Sequence, residues 1–324
     1  ADAINKFFRC LRMMSSEPSI LADHEQCRIG GVLRGGRVRR GSFRIGATGP
    51  LHSPTVSLLR SASVVSIFTL ASRVTGLVRE LLIASMFGAS ALTDAFNVAF
   101  RIPNLFRRLF AEGAFSQAFV PVLAATRAQH GDDATKEVID SVATALAWSL
   151  LALSVLGVLV SPWLVWALAS GLQQDARGYT AAVNMTRWMF PYIAFMSMVA
   201  LSAGILNTWK RFAVPAATPV LLNVSVIGAT WWLAPWLAGQ GIESIYALPV
   251  GVMLGGLLQL GLQIPALARL GLLPRLGVRP RAVKKSWTNP ATLNILRLMG
   301  PALLGVGVAQ ISLLINTQIA SHLA

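Results

Sequence analysis

Asp94-Ala-Phe-Asn-Val-Ala-Phe-Arg-Ile-Pro-Asn-Leu-Phe-Arg-Arg-Leu-Phe-Ala-Glu-Gly-Ala114 is the stretch that decides the fold. It is apolar enough to enter a membrane, yet it carries Asp94, Arg101, Arg107, Arg108 and Glu112, with Asn97 and Asn104 among them. Wound as an α-helix, positions 94, 97, 101, 104, 108 and 112 recur in steps of three and four. Such steps trace one stripe along a helix. Ionisable groups are costly in hydrocarbon, so a stripe of this kind faces a water-filled cavity and marks a substrate or ion path. The competing reading is the solvated face of a helix lying in the membrane interface.

Composition places that helix in a membrane. Of the 324 residues 54% are hydrophobic and 13% are charged, about half the charged share usual in soluble proteins. Mean hydropathy is +0.60. The net charge of +15 gathers largely in residues 1–60 and 269–285. A soluble nucleic-acid binder spreads such charge over a folded domain, whereas here it flanks apolar runs, so no nucleic-acid partner is expected. Cys10 and Cys27 both precede the first apolar segment, and His24, His52, His130 and His322 are scattered. Neither set has metal-ligand spacing. No metal, haem or other cofactor is expected.

Apolar segments recur at about 61–87, 91–123, 138–169, 179–206, 215–238, 244–268 and 292–323. A crossing helix needs about 20 apolar residues, so seven spans are expected. Phe87-Gly88-Ala89-Ser90 reads as a tight turn between the first two, and Pro162 and Pro191 predict kinks within apolar runs. With the N-terminus in the cytoplasm, the inside loops hold Arg127, Lys136, Lys210 and Arg211, then Arg269, Arg275, Arg279, Arg281, Lys284 and Lys285. The outside loops hold Arg177 and almost nothing else, which is the positive-inside pattern. The acid-free 269–285 loop suits anionic lipid headgroups as well as topology signalling. Residues 1–56 differ from the rest: the Gly/Arg-rich run 30–44 has no helical or strand period, and such segments seldom pack. The last span runs to Ala324 with no flanking anchor, as expected of an interrupted longer chain.

The first span contains Ser72-Arg73-Val74-Thr75-Gly76-Leu77-Val78-Arg79-Glu80. Arg73 and Glu80 share a helical face and are placed to pair across two turns. Arg79 points about 120° away. In the second span Pro103 predicts a bend that re-aims Arg107 and Arg108 toward the cavity of Arg73. Guanidinium forks match phosphate oxygens in bidentate fashion, so the cavity suits a large anionic group, with Asp94 and Glu112 as internal partners. No phosphate loop, Ser-His-Asp set or Cys-His pair is present, and no enzymatic activity is expected. Gly255-Gly256 and Gly305-Val-Gly307 read as close helix packing, and Asn223, Gln259, Gln263, Gln310, Ser312 and Asn316 as interhelical hydrogen-bonding groups. Asn207-Thr-Trp-Lys-Arg-Phe212 reads as an interface anchor.

Ser72-Arg-Val-Thr-Gly-Leu-Val-Arg-Glu80, Phe87-Gly-Ala, Thr93-Asp-Ala-Phe and the long Pro103-Asn-Leu-Phe-Arg-Arg-Leu-Phe-Ala-Glu-Gly-Ala-Phe-Ser-Gln-Ala-Phe-Val-Pro121 resemble the MurJ/MviN family. Phe190-Pro-Tyr, Ile205-Leu-Asn-Thr-Trp209, Leu222-Asn223 and Gly300-Pro301 continue the resemblance in order, from about residue 57 to the end. The resemblance implies a lipid II flippase of the multidrug/oligosaccharidyl-lipid/polysaccharide exporter superfamily. The implied fold is all-α and polytopic, with fourteen helices in two six-helix lobes plus two helices that line a lipid-tail groove. Onto this chain it maps a basic extension at 1–56, the first lobe at 57–268, a cytoplasmic loop at 269–291 and the seventh helix at 292–324. Ser72, Arg73, Arg79, Arg107 and Arg108 are implied to bind the pyrophosphate headgroup, and Glu80, Asp94 and Glu112 to gate or pair. The implied setting is the bacterial inner membrane, with lipid II, membrane lipids and cell-wall synthesis proteins as partners. The extension has no counterpart in the family, and most of the second lobe is missing. Rival readings are a related exporter of polyprenyl-linked saccharides or drugs, and a non-transporting membrane scaffold.

Overall fold

A computed structural model describes residues 54–107 and 114–320, and among them the chain is helical with no strand. In chain order the helices are α1 (Pro54–Phe87), α2 (Ala91–Arg107), α3 (Phe115–Leu168), α4 (Ala176–Met189) and α5 (Tyr192–Thr208). There follow α6 (Ala213–Gly228), α7 (Ala234–Gly239), α8 (Ala247–Arg269), α9 (Pro280–Thr288) and α10 (Pro290–Ala320). The extension read at 1–56 lies almost wholly outside the described residues.

Local chemistry sets the boundaries. Gly88 closes the α1–α2 turn at φ 60°, where a side chain would be strained. Ser90 then caps α2, its hydroxyl accepting from the Thr93 amide at 3.3 Å. Asp175 caps α4 by accepting from the Arg177 amide at 3.0 Å. The expected kink at Pro191 is a two-residue break between α4 and α5. Pro162 behaves differently. Its ring removes the donor that the Val158 carbonyl would use, but Ser161 Oγ donates to that carbonyl at 2.9 Å. The backbone of α3 instead leaves helical dihedrals at Gly131, with φ 79° and ψ −172°. Residues 115–130 and 132–168 are therefore two helical rods that meet between the second and third expected spans.

Among the described residues, four helical stretches are long and apolar enough to cross a membrane: Phe115–Leu168, Ala176–Thr208, Ala213–Gly239 and Ser244–Arg269. They correspond to the third to sixth expected spans. α1 packs mainly on α6, α6 on α8, α8 on α5, α5 on α3, and α3 on α10, while α2 packs on α4. Small residues permit the closest approaches. A Cβ on Gly251 would lie 3.0 Å from the Val226 Cα, and one on Gly255 would lie 2.7 Å from Leu222 Cδ1. α6 and α8 thus meet nearly backbone to backbone, as small residues in membrane helices allow. The close packing expected at Gly255-Gly256 is present. A Cβ on Gly305 would meet nothing within 4 Å.

A polar ladder fastens the segment after α8. Lys136, Asp140, Thr144 and Trp148 recur every four residues on α3, so they share one face. Lys136 Nζ donates to the Leu273 carbonyl, and Asp140 accepts from the Arg275 amide at 2.8 Å. Thr144 accepts from the Gly277 amide at 3.0 Å, and Trp148 Nε1 donates to the Gly277 carbonyl at 3.0 Å. Lys285 of α9 pairs with Glu137 at 2.8 Å, which raises the Lys285 pKa through that hydrogen bond and charge. Asp140 also holds Lys136 at 2.8 Å, so it joins two rungs. Asp140→Ala is expected to free this segment: amide exchange in residues 272–278 rises by about tenfold, as loss of one charge-assisted bond of about 1.5 kcal/mol implies. Unchanged exchange would show that the other rungs suffice.

Candidate functional site

Over positions 94–104, the described part of the expected stripe, polar and apolar residues of α2 fall on different faces. Asp94, Asn97 and Arg101 are exposed and Asn104 is half-buried, while Ala95, Phe96, Val98, Ala99 and Ile102 are buried. The buried face packs against α4, and Phe96 stacks on Phe100 with ring centroids 5.7 Å apart. Apolar packing on one side thus turns the charges to the other. Asp94 lies in the first turn of α2, where the helix dipole favours a carboxylate.

On α1 the structure separates residues that the sequence grouped. Arg73 is exposed. Arg79 turns toward α6, where Nη1 donates to Asn223 Oδ1 at 3.0 Å. Asn223 Nδ2 in turn donates to the Ser72 carbonyl at 2.9 Å and to Thr75 Oγ1 at 3.1 Å. Asn223 is only 6% exposed, so the Asn223 end of each of these bonds is sheltered from water while its partners are half-buried. Glu80 pairs with its neighbour Arg79, so the expected Arg73–Glu80 pair is not formed. Face geometry places Cβ atoms, and two long side chains side by side can still bring their tips together. Ser72 enters the site through its backbone carbonyl.

Asn223→Leu is expected to leave the Arg79 guanidinium without its sheltered acceptor. Hydrogen bonds to charged groups are worth about 1.5–3 kcal/mol, so thermal unfolding in detergent should come about 5 °C earlier. An unchanged midpoint would mean that water replaces the amide.

Arg79, Glu80 and Ile83 of α1, Phe96, Asn97 and Phe100 of α2, Val226 of α6 and Val252 of α8 line a cavity of about 40 Å³. The stripe of α2 and the ion pair of α1 therefore meet at one place. A cavity of this size holds about one water. A larger cavity, about 620 Å³, lies between α3 and α5, away from these charges. The backbone of α2 reaches Arg107, whose side chain lies outside the described residues together with Arg108 and Glu112. Among the described residues no His/Cys/Asp/Glu cluster is arranged to hold a metal.

Sequence reasoning read Asn223 as a generic interhelical group and missed its role as the acceptor for Arg79. The available signal was its isolation in Leu221-Leu-Asn-Val224. Gln259 fits the interhelical reading, with Nε2 donating to the Thr218 carbonyl of α6 at 2.8 Å.

A family model described as lipid II flippase MurJ matches residues 83–324. The lipid II flippase MurJ of Burkholderia cenocepacia is 52% identical over 269 residues, covering 83% of this chain and 51% of its own. The probable lipid II flippase MurJ of Vibrio cholerae is 42% identical over 273 residues, covering 82% and 50%. A solved structure described as lipid II flippase MurJ in an inward closed conformation superposes with a TM-score of 0.64 at 26% identity, over 80% of this chain and 50% of that one. The chain spans about half the length of the curated relatives it matches. From a charged stripe on packed membrane helices to relatives this similar, the chain belongs to the MurJ lipid II flippase family.

Proposed function

We propose that this chain is the N-terminal portion of a lipid II flippase, carrying the polyprenyl pyrophosphate-linked precursor from the inner to the outer leaflet by alternating access. The observation that carries this reading is the exposed row Asp94, Asn97 and Arg101 on a helix whose other face is buried. Ionisable groups on the exposed face of a membrane helix are costly against lipid and mark a substrate or ion path. In this reading Ser72, Arg73, Arg79, Arg107 and Arg108 contact the headgroup, and Glu80, Asp94 and Glu112 exchange partners as the cavity opens. The small cavity beside Arg79 has no room for a headgroup, so loading requires α1 and α2 to part. Arg79 then trades Asn223 and Glu80 for phosphate oxygens, a like-for-like exchange of charge-assisted bonds.

The proposal is a transporter rather than an enzyme. It sits in the bacterial inner membrane with its N-terminus in the cytoplasm, as the loop charges favour. Residues 57–268 form the first lobe, 269–291 the cytoplasmic connection and 292–324 the start of the second lobe, with 1–56 as a basic extension. Lipid II is the cargo, and membrane lipids and cell-wall synthesis proteins are its neighbours. The test is a graft of residues 57–324 onto the C-terminal part of an authentic family member, expressed in flippase-depleted Gram-negative cells. Growth is expected. A graft that inserts and fails to restore growth favours the related-exporter or scaffold reading.

A further inference from the structure

The cavity of about 620 Å³ is a groove on the wall of the bundle. One side is Leu151, Val155 and Leu159 of α3, the other Phe195 and Met198 of α5, and Leu276 closes one end. Its volume falls within the roughly 300–1,000 Å³ of small-ligand sites, yet its lining is almost wholly apolar. Ser154 supplies a buried hydroxyl with no hydrogen-bond partner. Along α3 the groove runs from Ala147 to Leu159, about 18 Å at 1.5 Å per residue. That length matches one leaflet of a hydrocarbon core about 30 Å thick.

The closed end is basic and fixed. Leu276 sits in the extended segment that the ladder of Asp140, Thr144 and Trp148 fastens to α3. The same bonds fix the backbone of Arg275, next in sequence to the lining residue Leu276, and Arg279 follows two residues past Gly277. Both arginines are exposed and join no ion pair among the described residues. The nearby acids are matched elsewhere, Asp140 by Lys136 and Glu137 by Lys285. Trp148, exposed and bonded to the Gly277 carbonyl, is an interface residue by type. An apolar slot one leaflet long that ends at unpaired guanidinium groups is complementary to a single ligand chemistry: a hydrocarbon chain carrying an anionic headgroup.

We propose that this groove is a binding site for one anionic phospholipid, with an acyl chain between α3 and α5 and its phosphate at Arg275 and Arg279. The site stands on the wall away from the charges of α1 and α2, and it does not depend on the transport reading. Native mass spectrometry of the full chain, released from detergent with equimolar phosphatidylglycerol and phosphatidylethanolamine, reads it directly. One phosphatidylglycerol is expected to be retained in preference. Arg275→Ser with Arg279→Ser should lower that retention by about tenfold or more, because each basic residue near a headgroup contributes substantially to binding. Val155→Trp fills the slot from an exposed position, so it leaves folding intact and should abolish retention. Leu257→Trp, on the exposed face of α8 outside the groove, should leave retention unchanged. Equal retention of the two lipids, or full retention by Val155→Trp, overturns the proposal. Displacement of the phospholipid by equimolar undecaprenyl phosphate also overturns it, since the slot would then belong to a polyprenyl chain.

Discussion

Arg73→Ala in the graft of residues 57–324 is expected to abolish growth rescue, with plating efficiency down by about 100-fold or more. Arg73 is exposed on a helix that packs mainly on α6, so its removal leaves the packing of the lobe intact. What it removes is an exposed guanidinium from α1, the helix whose Arg79 and Glu80 line a cavity with Asn97 of α2. A bond between charged groups is worth about 1.5–3 kcal/mol, a factor of about 10 to 100 in affinity at 1.4 kcal/mol per decade. Transport that needs the bond in more than one state loses more. Arg73→Lys should rescue in part, because an ammonium keeps the charge and loses the planar fork. Immunoblots of membrane fractions separate loss of function from loss of protein. Full rescue by Arg73→Ala at normal abundance would defeat the cavity reading.

The second large effect is structural. A Cβ on Gly157 would lie 1.8 Å from Phe190 Cε1. Phe190 is 1% exposed and wedged with Ile102, Leu150 and Ile193, so its ring has nowhere to retreat. Gly157→Ala should therefore destabilise the protein by about 3 kcal/mol, the upper range for overpacking, and lower the unfolding midpoint in detergent by roughly 10 °C. Phe190→Leu alone should be milder. Combined with Gly157→Ala it should be more stable than Gly157→Ala alone, since residues in contact do not add. A tolerated Gly157→Ala would mean that α3 and α5 do not approach so closely.

Much of this fold was legible in residue pattern because pattern and packing obey the same helical period. Positions 94, 97, 101 and 104 were separable from 95, 98, 99 and 102 by spacing alone, and burial follows that division. Asn223 shows the limit. Its bond to Arg79 joins residues 144 apart, and nothing local says that α1 will lie on α6. The Glu80 pairing failed for a different reason: a seven-residue step fixes a shared face but leaves the tips of long side chains free to choose a nearer partner. At Pro162 the rule about a missing donor held, but Ser161, one residue away, supplied the substitute.

The bond from Arg79 to Asn223 also bears on how the protein is made. Chains grow at about 5–20 residues per second, so Arg79 emerges roughly 7–30 seconds before its acceptor on α6, 144 residues later, exists. Through that interval a helix bearing Arg73, Arg79 and Glu80 has only its internal Arg79–Glu80 pair to offset its charges in the bilayer, where each is penalised. The nascent first helix must therefore be sheltered at the insertion machinery, or wait at the bilayer surface, until the fifth expected span arrives to receive it. Membrane integration of the lobe is then paced by its polar bond rather than by the apolar runs that make up most of its length.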